Sequence, residues 1–255
     1  MSWRPRPRSW DSATEANRFT VVYDACVLYP APRSDLLMRL ALLTDLYQVR
    51  WSDVVHDEWI TAVLRNRPDL SRQQLERTPT LMNAHVRDAL VDGHQPLIPA
   101  LRLPDPDDRH VLAAAIKCGA DLIITFNLDD FPEDTLASHG LGACHPDPFL
   151  VDQLHLDAVR VCKAMRQNRA SLKNPPKTVE EYLTTLEEQG LSTFRRPPNL
   201  TAPSSEHVGH GPAVSLPSRK RHPPHRHRTS GCRPPDGFPL SGPWLRRQPW
   251  GEARR

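Results

Sequence analysis

The chain has 255 residues, 27 of them proline, and a formal net charge of +3. The charge is divided unevenly, because residues 195–255 carry twelve Lys and Arg against three Asp and Glu, which leaves residues 1–194 at about −6. Five scattered cysteines without a CxxC pair exclude a zinc-finger spacing and favour a reducing compartment. No apolar run approaches the roughly 20 residues of a membrane span, so we expect a cytoplasmic protein with one sizeable domain plus extensions.

The first predicted elements alternate strands with helices. The β-rich run over residues 19–23 predicts a strand that stops at Asp24. Apolar residues at helical spacing follow, with Ser34 or Asp35 as the N-cap, and "QVRW" predicts a second short strand. Two further helices are expected after it, and Ser52 and Ser71 are their N-caps. They extend to about Asn66 and over roughly 72–89, and "QPLIPALRLP" is an irregular or short extended link.

The segment from Asp105 to Phe131, "DPDDRHVLAAAIKCGADLIITFNLDDF", combines a helix and a strand with acids at both ends. Pro106 at the first helical position and Gly119 after the last one form a start-and-stop pair. The run "DLIITF" predicts a buried strand, and "NLDDFP" is the loop after it. Helices that alternate with short apolar strands indicate a parallel sheet covered by helices on both faces. In such folds, sites lie outside the carboxyl ends of the strands.

The C-terminal third begins as helices and then loses all periodicity. "PDPFLVDQLHLDAVRVCKAMRQNRASL" predicts a helix broken by "NPP", and "TVEEYLTTLEEQG" predicts a further short helix. The Pro-, Arg- and His-rich sequence after Gly190 cannot build a core. We therefore divide the chain into a disordered basic leader (1–18), a principal domain (19–150), a C-terminal helical extension (151–191) and a disordered tail (192–255).

Several carboxylates and an amide are placed for one edge of this sheet. Asp24 and Asn127 each follow a strand, and Glu58 lies on the apolar face of its helix, where an unpartnered carboxylate is costly to bury. Asp108 precedes Val111 by one helical turn, on the packed side. Ordinary alternatives exist for each residue, namely turn residues that bond their own backbone, a helix-edge position for Glu58, and acids that favour the helix dipole.

A second group of acids has a simpler local explanation. Asp105 is an N-cap candidate and Asp107 a first-turn acid, while Asp129 and Asp130 suit a turn. What these local explanations leave open is why four segments bring carboxylate or amide oxygens to one end of one sheet. Mg²⁺ or Mn²⁺ would neutralise such a cluster, and these ions activate water and stabilise charge on a phosphodiester. No histidine base is then required. Because His56 lies one turn from Ile60 and His110 faces away from the apolar side of its helix, we interpret both as ordinary surface or partly packed residues.

Three stretches in order, "VVYDACVLYPAP", "WSDVVHDEWI" and the Asp105–Phe131 segment, resemble the successive motifs of PIN-domain nucleases. The closest resemblance is to the ribonuclease toxins of bacterial VapBC toxin–antitoxin pairs, and it covers roughly Phe19 to Leu150, with a weaker match to Gly190. The resemblance implies an α/β three-layer sandwich with a central parallel sheet, followed by C-terminal helices and a disordered tail. It also implies Mg²⁺ or Mn²⁺ and cleavage of single-stranded RNA.

The resemblance assigns catalytic roles residue by residue. Asp24 matches the first strand-end acid, Glu58 the helical acid, and Asp108 the acid that opens the fourth-motif helix. Asn127 stands where many members have Asp, which removes one charge. The metal is assigned to Asp24 and Asp108.

Further site positions and partners follow from the same resemblance. Glu58, Asp105 and Asp130 are additional candidate ligands, and the Thr125 hydroxyl is a candidate for orienting the site. The implied partners are an RNA substrate and a small DNA-binding antitoxin of the VapB kind, with a homodimer left open. The alternative function is a non-catalytic PIN-like module that binds RNA or protein, and Asn127 is the residue that favours it.

The tail has two competing interpretations. Its composition is typical of GC-rich DNA read out of frame, which leads to the hypothesis of a frameshift after about Ser192. The rival hypothesis is a basic tail that binds RNA phosphates. The tail lacks interleaved aromatic residues for base stacking, so the frameshift is favoured.

Overall fold

The computed structural model describes residues 19–195 and contains one four-stranded parallel sheet, as the sequence predicts. The strands are β1 (Thr20–Tyr23), β2 (Gln48–Arg50), β3 (Leu122–Ile124) and β4 (Gly142–Cys144), in the spatial order β2-β1-β3-β4. All four residues of β1 are buried. Because β1 and β3 are parallel neighbours, the segments that follow them leave the sheet side by side, and the Asp24 N–H donates to the Ile124 carbonyl at 3.1 Å.

Helices cover both faces of the sheet and continue beyond it. Within residues 19–195 they are α1 (Ala31–Leu43), α2 (Asp53–Asn66), α3 (Arg72–His85), α4 (Arg109–Cys118), α5 (Glu133–Ala137), α6 (Pro146–Leu156), α7 (Ala158–Ser171), α8 (Val179–Glu188) and α9 (Ser192–Arg195). Short 3₁₀ turns occupy Ala25–Val27, Gln95–Ala100 and Leu128–Asp130. The predicted caps of α2 and α3 are confirmed: the Ser52 hydroxyl accepts from the Val55 N–H, and Ser71 forms a capping box with Gln74.

Two helix boundaries differ from the prediction. Helix α1 begins at Ala31, so Ser34 and Asp35 lie inside it and are buried rather than capping it. A proline in its first turn is the signal that outweighed them, because its fixed φ suits that position and its missing N–H is not needed there. Helix α3 ends at His85 rather than near 89. The chain then turns back to the sheet, where the Trp51 N–H donates to the Ala89 carbonyl at 2.9 Å.

The long helix predicted after β4 is in fact two helices, α6 and α7. Asp157 ends the first and caps the second, accepting a hydrogen bond from the Arg160 N–H at 2.9 Å. An aspartate side chain competes for backbone donors, which is why it favours a helix start over a helix interior. The break lets α7 pack back against α1.

The C-terminal helices share one continuous hydrophobic core with the sheet. Tyr182, Leu186, Leu191 and Phe194 are buried in the same cluster as the strands. The helical extension continues to Arg195, beyond the predicted limit of residue 191. The predictions for the leader (1–18) and for the tail from residue 196 onward fall outside the described residues. No helix among residues 19–195 combines the length and the apolar character that crossing a membrane needs.

Candidate active site at the carboxyl edge of the sheet

Asp24 is the centre of a hydrogen-bonded cluster where β1 and β3 end. Its side chain is buried, and its Oδ2 accepts from the Thr125 hydroxyl at 2.6 Å and from the Cys26 thiol at 3.0 Å. The Thr125 oxygen in turn accepts the Asn127 N–H at 3.0 Å. The Thr125 hydroxyl therefore joins the segment after β1 to the segment after β3. Hydrogen bonds to a carboxylate are short and strong, so they fix the orientation of Asp24.

Asp108 lies at the start of α4, close to this cluster. The predicted helix start at Pro106 is wrong, because α4 begins at Arg109 and Asp108 is the residue that precedes it. Asp105 is not the N-cap. Its Oδ1 accepts the Asp107 N–H at 2.8 Å, which closes an Asx turn and delays the helix by about one turn. The delay leaves the Asp108 side chain partly buried beside the strand ends.

Several carboxylates influence the ionisation of Asp108. Burial and then the charges of Asp24, Asp130, Asp105 and Glu58, in that order, raise the pKa of Asp108 to about 7. These four acids are the ones that the sequence proposed as metal ligands together with Asp108, and their charges act on Asp108 from separate segments. Negative charges around a partly desolvated carboxyl disfavour its ionisation, which is why the pKa of Asp108 is raised.

Asp130 is affected by several of the same acids. Burial raises its pKa, and the charges of Asp105, Asp129 and Asp24 raise it further. Asp129, which is not among the candidate ligands, is therefore one of the charges that act on Asp130.

Glu58 has a partner that sequence reasoning missed. Its Oε1 lies 2.8 Å from Nε2 of His110, which joins α2 to α4. His110 is 6% exposed, so the prediction that it faces away from the packed side of α4 is wrong. The signal was available: Ala113 and Ala114, three and four residues on, are fully buried on the same face. A carboxylate only accepts, so Nε2 of His110 is the donor.

His56 is buried as well, on α2. Its Nδ1 accepts the indole N–H of Trp59 at 3.1 Å, and burial lowers its pKa. It takes no part in the carboxylate cluster. We therefore continue to interpret His56 as a packed residue without a catalytic role.

The donor set fits a hard divalent cation by its chemistry. Asp108 and the four acids that act on it all offer carboxylate oxygen, the ligand type that Mg²⁺ and Mn²⁺ prefer. Within residues 19–195, however, no three His, Cys, Asp or Glu side chains stand close enough together to form a complete ligand set. Mg²⁺ commonly keeps several waters and takes only one or two carboxylates, so a pair of these acids suffices.

Comparisons with known proteins agree with this architecture. Residues 20–129 match the family model described as PIN domain, and residues 146–196 match the one described as VapC50 C-terminal domain. A protein of Mycobacterium tuberculosis named "Putative ribonuclease VapC50" is 39% identical over 101 residues. The match covers 40% of this chain and 59% of that protein, which is less than two thirds of its length.

Proposed function

We propose that this chain, which belongs to the PIN-domain family of the VapC type, is an endoribonuclease that cleaves single-stranded RNA with Mg²⁺ or Mn²⁺. One observation carries the proposal. Burial, and then the charges of four acids from separate segments at the carboxyl edge of the sheet, raise the pKa of Asp108 to about 7. Carboxylates with raised pKa values in one partly buried group are typical of functional sites, and a site for a cation and a phosphodiester fits this chemistry.

The cofactor would be held mainly by Asp24 and Asp108, with Glu58, Asp105 and Asp130 around them. Bound there, a divalent cation supplies charge neutralisation and a water of lowered pKa. Asn127 offers an amide oxygen at the same edge but no charge, so the site carries one negative charge fewer than with Asp at that position.

The chain's own residues orient these oxygens. Within residues 19–195, the side-chain hydrogen bonds of Asp24 all end on Oδ2, so Oδ1 is the atom that we assign to the cation. His110 holds the Glu58 carboxylate by Oε1 in the same way. Such outer hydrogen bonds fix ligand geometry and thereby affinity. With its pKa raised to about 7, the Asp108 carboxyl is partly protonated at neutral pH and must release that proton to act as a ligand.

The partners are part of the proposal. We infer an RNA substrate and a small VapB-like or other DNA-binding antitoxin, because a PIN-domain match and a VapC50 C-terminal match together cover most of the described chain. The net charge of about −6 on residues 1–194 gives the domain no general attraction for RNA. Recognition of RNA phosphates would then depend on the cation and on local basic side chains. A homodimer and a cytoplasmic location complete the proposal.

The test is cleavage of a labelled single-stranded RNA by the full-length chain with Mg²⁺, with Mn²⁺ and with EDTA. We expect cleavage that stops on chelation, and loss of cleavage in Asp24→Asn, Asp108→Asn and Glu58→Gln. Asp107→Asn is the matched control, since it removes an exposed acid next to Asp108 that is not among the charges that raise the pKa of Asp108 or Asp130, and it should change the rate little.

Two results would contradict the proposal: cleavage that survives full chelation, and wild-type rates in all three variants. RNA binding without cleavage under every metal condition would favour the alternative of a non-catalytic module. Asn127, which lacks the charge of Asp, is the feature that motivates this alternative.

A further inference from the structure

The ring of Phe126 connects the candidate site to the C-terminal helices. Phe126 stands between Thr125 and Asn127, and its N–H donates to the Cys26 sulfur at 3.3 Å. The guanidinium carbon of Arg33 lies 4.0 Å from the ring centroid, and the His145 ring meets it edge-on at 4.5 Å. Cation–π and edge-to-face contacts on two sides hold the ring in place.

Arg33 joins the segment after β1 to the turn after α8 through its buried guanidinium. Its Nη2 donates to the carbonyl of Cys26 at 2.7 Å and to that of Tyr29, both in the segment after β1. Its Nη1 donates to the carbonyl of Gln189 at 2.7 Å, and its backbone N–H donates to Gln189 Oε1 at 3.0 Å. Since the planar guanidinium presents its donors in a fixed fork, these bonds set the spacing between the Asp24 segment and the turn after α8.

Gly190 lies directly against the Phe126 ring. Its φ is +89°, which favours glycine, and a Cβ at this position would stand 2.8 Å from Cε1 of Phe126. The ring cannot swing away freely, because Arg33 and His145 occupy other sides of it. The turn after α8 and the ring are therefore in contact with no room for even one methyl group.

The turn is itself anchored from the other side. Leu191 is fully buried and Phe194 nearly so. The carboxylate of Asp147, at the start of α6, accepts the N–H groups of Thr193 and Phe194 at 2.9 and 2.8 Å. These contacts hold the turn in place, so that Gly190 lies in a fixed position against the Phe126 ring.

Building on the proposed nuclease function, we infer that Phe126 is a positioning residue through which the C-terminal helical extension holds Thr125 and Asn127 in the cleaving arrangement. Displacing the ring moves the backbone on either side of it. The Thr125 hydroxyl then leaves its 2.6 Å contact with Asp24. Errors of about 1 Å in a catalytic arrangement cost about 100-fold in rate. The C-terminal helical extension then positions site residues in addition to contributing to the core.

Gly190→Ala in the full-length chain tests this inference against a matched control, Gly140→Ala. Both glycines have positive φ, but a Cβ at Gly140 meets nothing within 4 Å. Both variants should lower Tm, because both place a side chain at positive φ, and Gly190→Ala should lower it more, because its Cβ also meets the Phe126 ring. Only Gly190→Ala should lower kcat, by about 10- to 100-fold, with KM within about twofold of wild type. Equal kcat in the two variants would overturn the inference.

The route through the ring is tested by a double-mutant cycle with Phe126→Leu, whose shorter side chain removes the contacting Cε1 atom. In that background Gly190→Ala should have less than about a twofold effect on kcat. A full effect of Gly190→Ala without the ring would show that Phe126 is not the route.

Amide hydrogen exchange at residues 122–131 gives a readout that does not depend on cleavage. Gly190→Ala should speed exchange at the Phe126 and Asn127 amides, and Gly140→Ala should not. If the wild-type chain does not cut RNA, the proposed function fails and amide exchange alone decides whether the extension holds this segment. Unchanged exchange in Gly190→Ala would overturn the inference whether or not RNA is cut.

Discussion

Replacing Asp108 by Asn should stabilise the metal-free protein at alkaline pH, because the substitution removes a charge that its neighbours repel. The carboxyl has an ordinary pKa of 3.8, and burial together with four acids raises it to about 7. At about 1.4 kcal/mol per pKa unit, that difference corresponds to about 4 kcal/mol at most. Asp108 is partly exposed, and water screens the repulsion, so we expect about 1–2 kcal/mol.

The sign of the pH dependence follows from the raised pKa. The neutral Asp108 carboxyl contributes fully to stability below pH 3.8, and this contribution is lost as the pH rises through about 7. Asn does not titrate. The advantage of Asp108→Asn over wild type should therefore be small at pH 4, grow between pH 4 and 7, and stay constant above that.

Thermal and urea unfolding in EDTA at pH 5 and pH 8 measure this advantage. For a protein of this size, 1–2 kcal/mol corresponds to a Tm increase of about 2–8 °C. Asp107→Asn is the control, since it removes an exposed charge from the neighbouring position, and Asp107 is not among the acids that raise the pKa of Asp108. The reasoning is refuted if Asp108→Asn is no more stable than wild type at pH 8, or if Asp107→Asn gains as much.

Adding Mg²⁺ should reverse the order of the two proteins. A ligand that binds only the folded state stabilises it in proportion to the logarithm of its concentration over Kd. Wild type has the carboxylate that we assign to the cation, and Asp108→Asn lacks it. We expect the Tm of wild type to rise with Mg²⁺ at pH 8 and that of the variant to stay constant.

Three further predictions concern other parts of the chain. Asp147→Ala removes the acceptor of two α9 amides and should lower the free energy of unfolding by about 1–3 kcal/mol in urea titrations; an unchanged midpoint would show that α9 docks without it. His110→Leu frees the Glu58 carboxylate and should raise the Mg²⁺ concentration for half-maximal cleavage by about 10- to 100-fold; an unchanged Mg²⁺ titration would remove His110 from the site. Deleting residues 197–255 should change stability by less than about 0.5 kcal/mol and lower RNA binding only at low salt; a clear drop in Tm would exclude the frameshift hypothesis for the tail.

Local signals in the sequence determined most of the secondary structure. The apolar runs of β1 and β3 and the serine caps of α2 and α3 are confirmed because neighbouring residues alone decide them. Strand β4 was not predicted. Its residues "GAC" have no apolar period, and they become a strand only through pairing with β3. The late start of α4 was not predicted either, because the residue types that form an Asx turn also favour a helix N-terminus.

The candidate site divides in the same way. Sequence alone placed Asp24, Glu58 and Asp108 at strand ends and on helix faces, and a parallel sheet brings such positions to one edge. Only the tertiary structure decided how those groups are held and charged. The Glu58–His110 pair joins residues 52 positions apart, and the Thr125–Asp24 bond joins residues 101 apart. Periodicity tells which face a side chain occupies, whereas its partner, its burial and hence its pKa depend on how the elements pack.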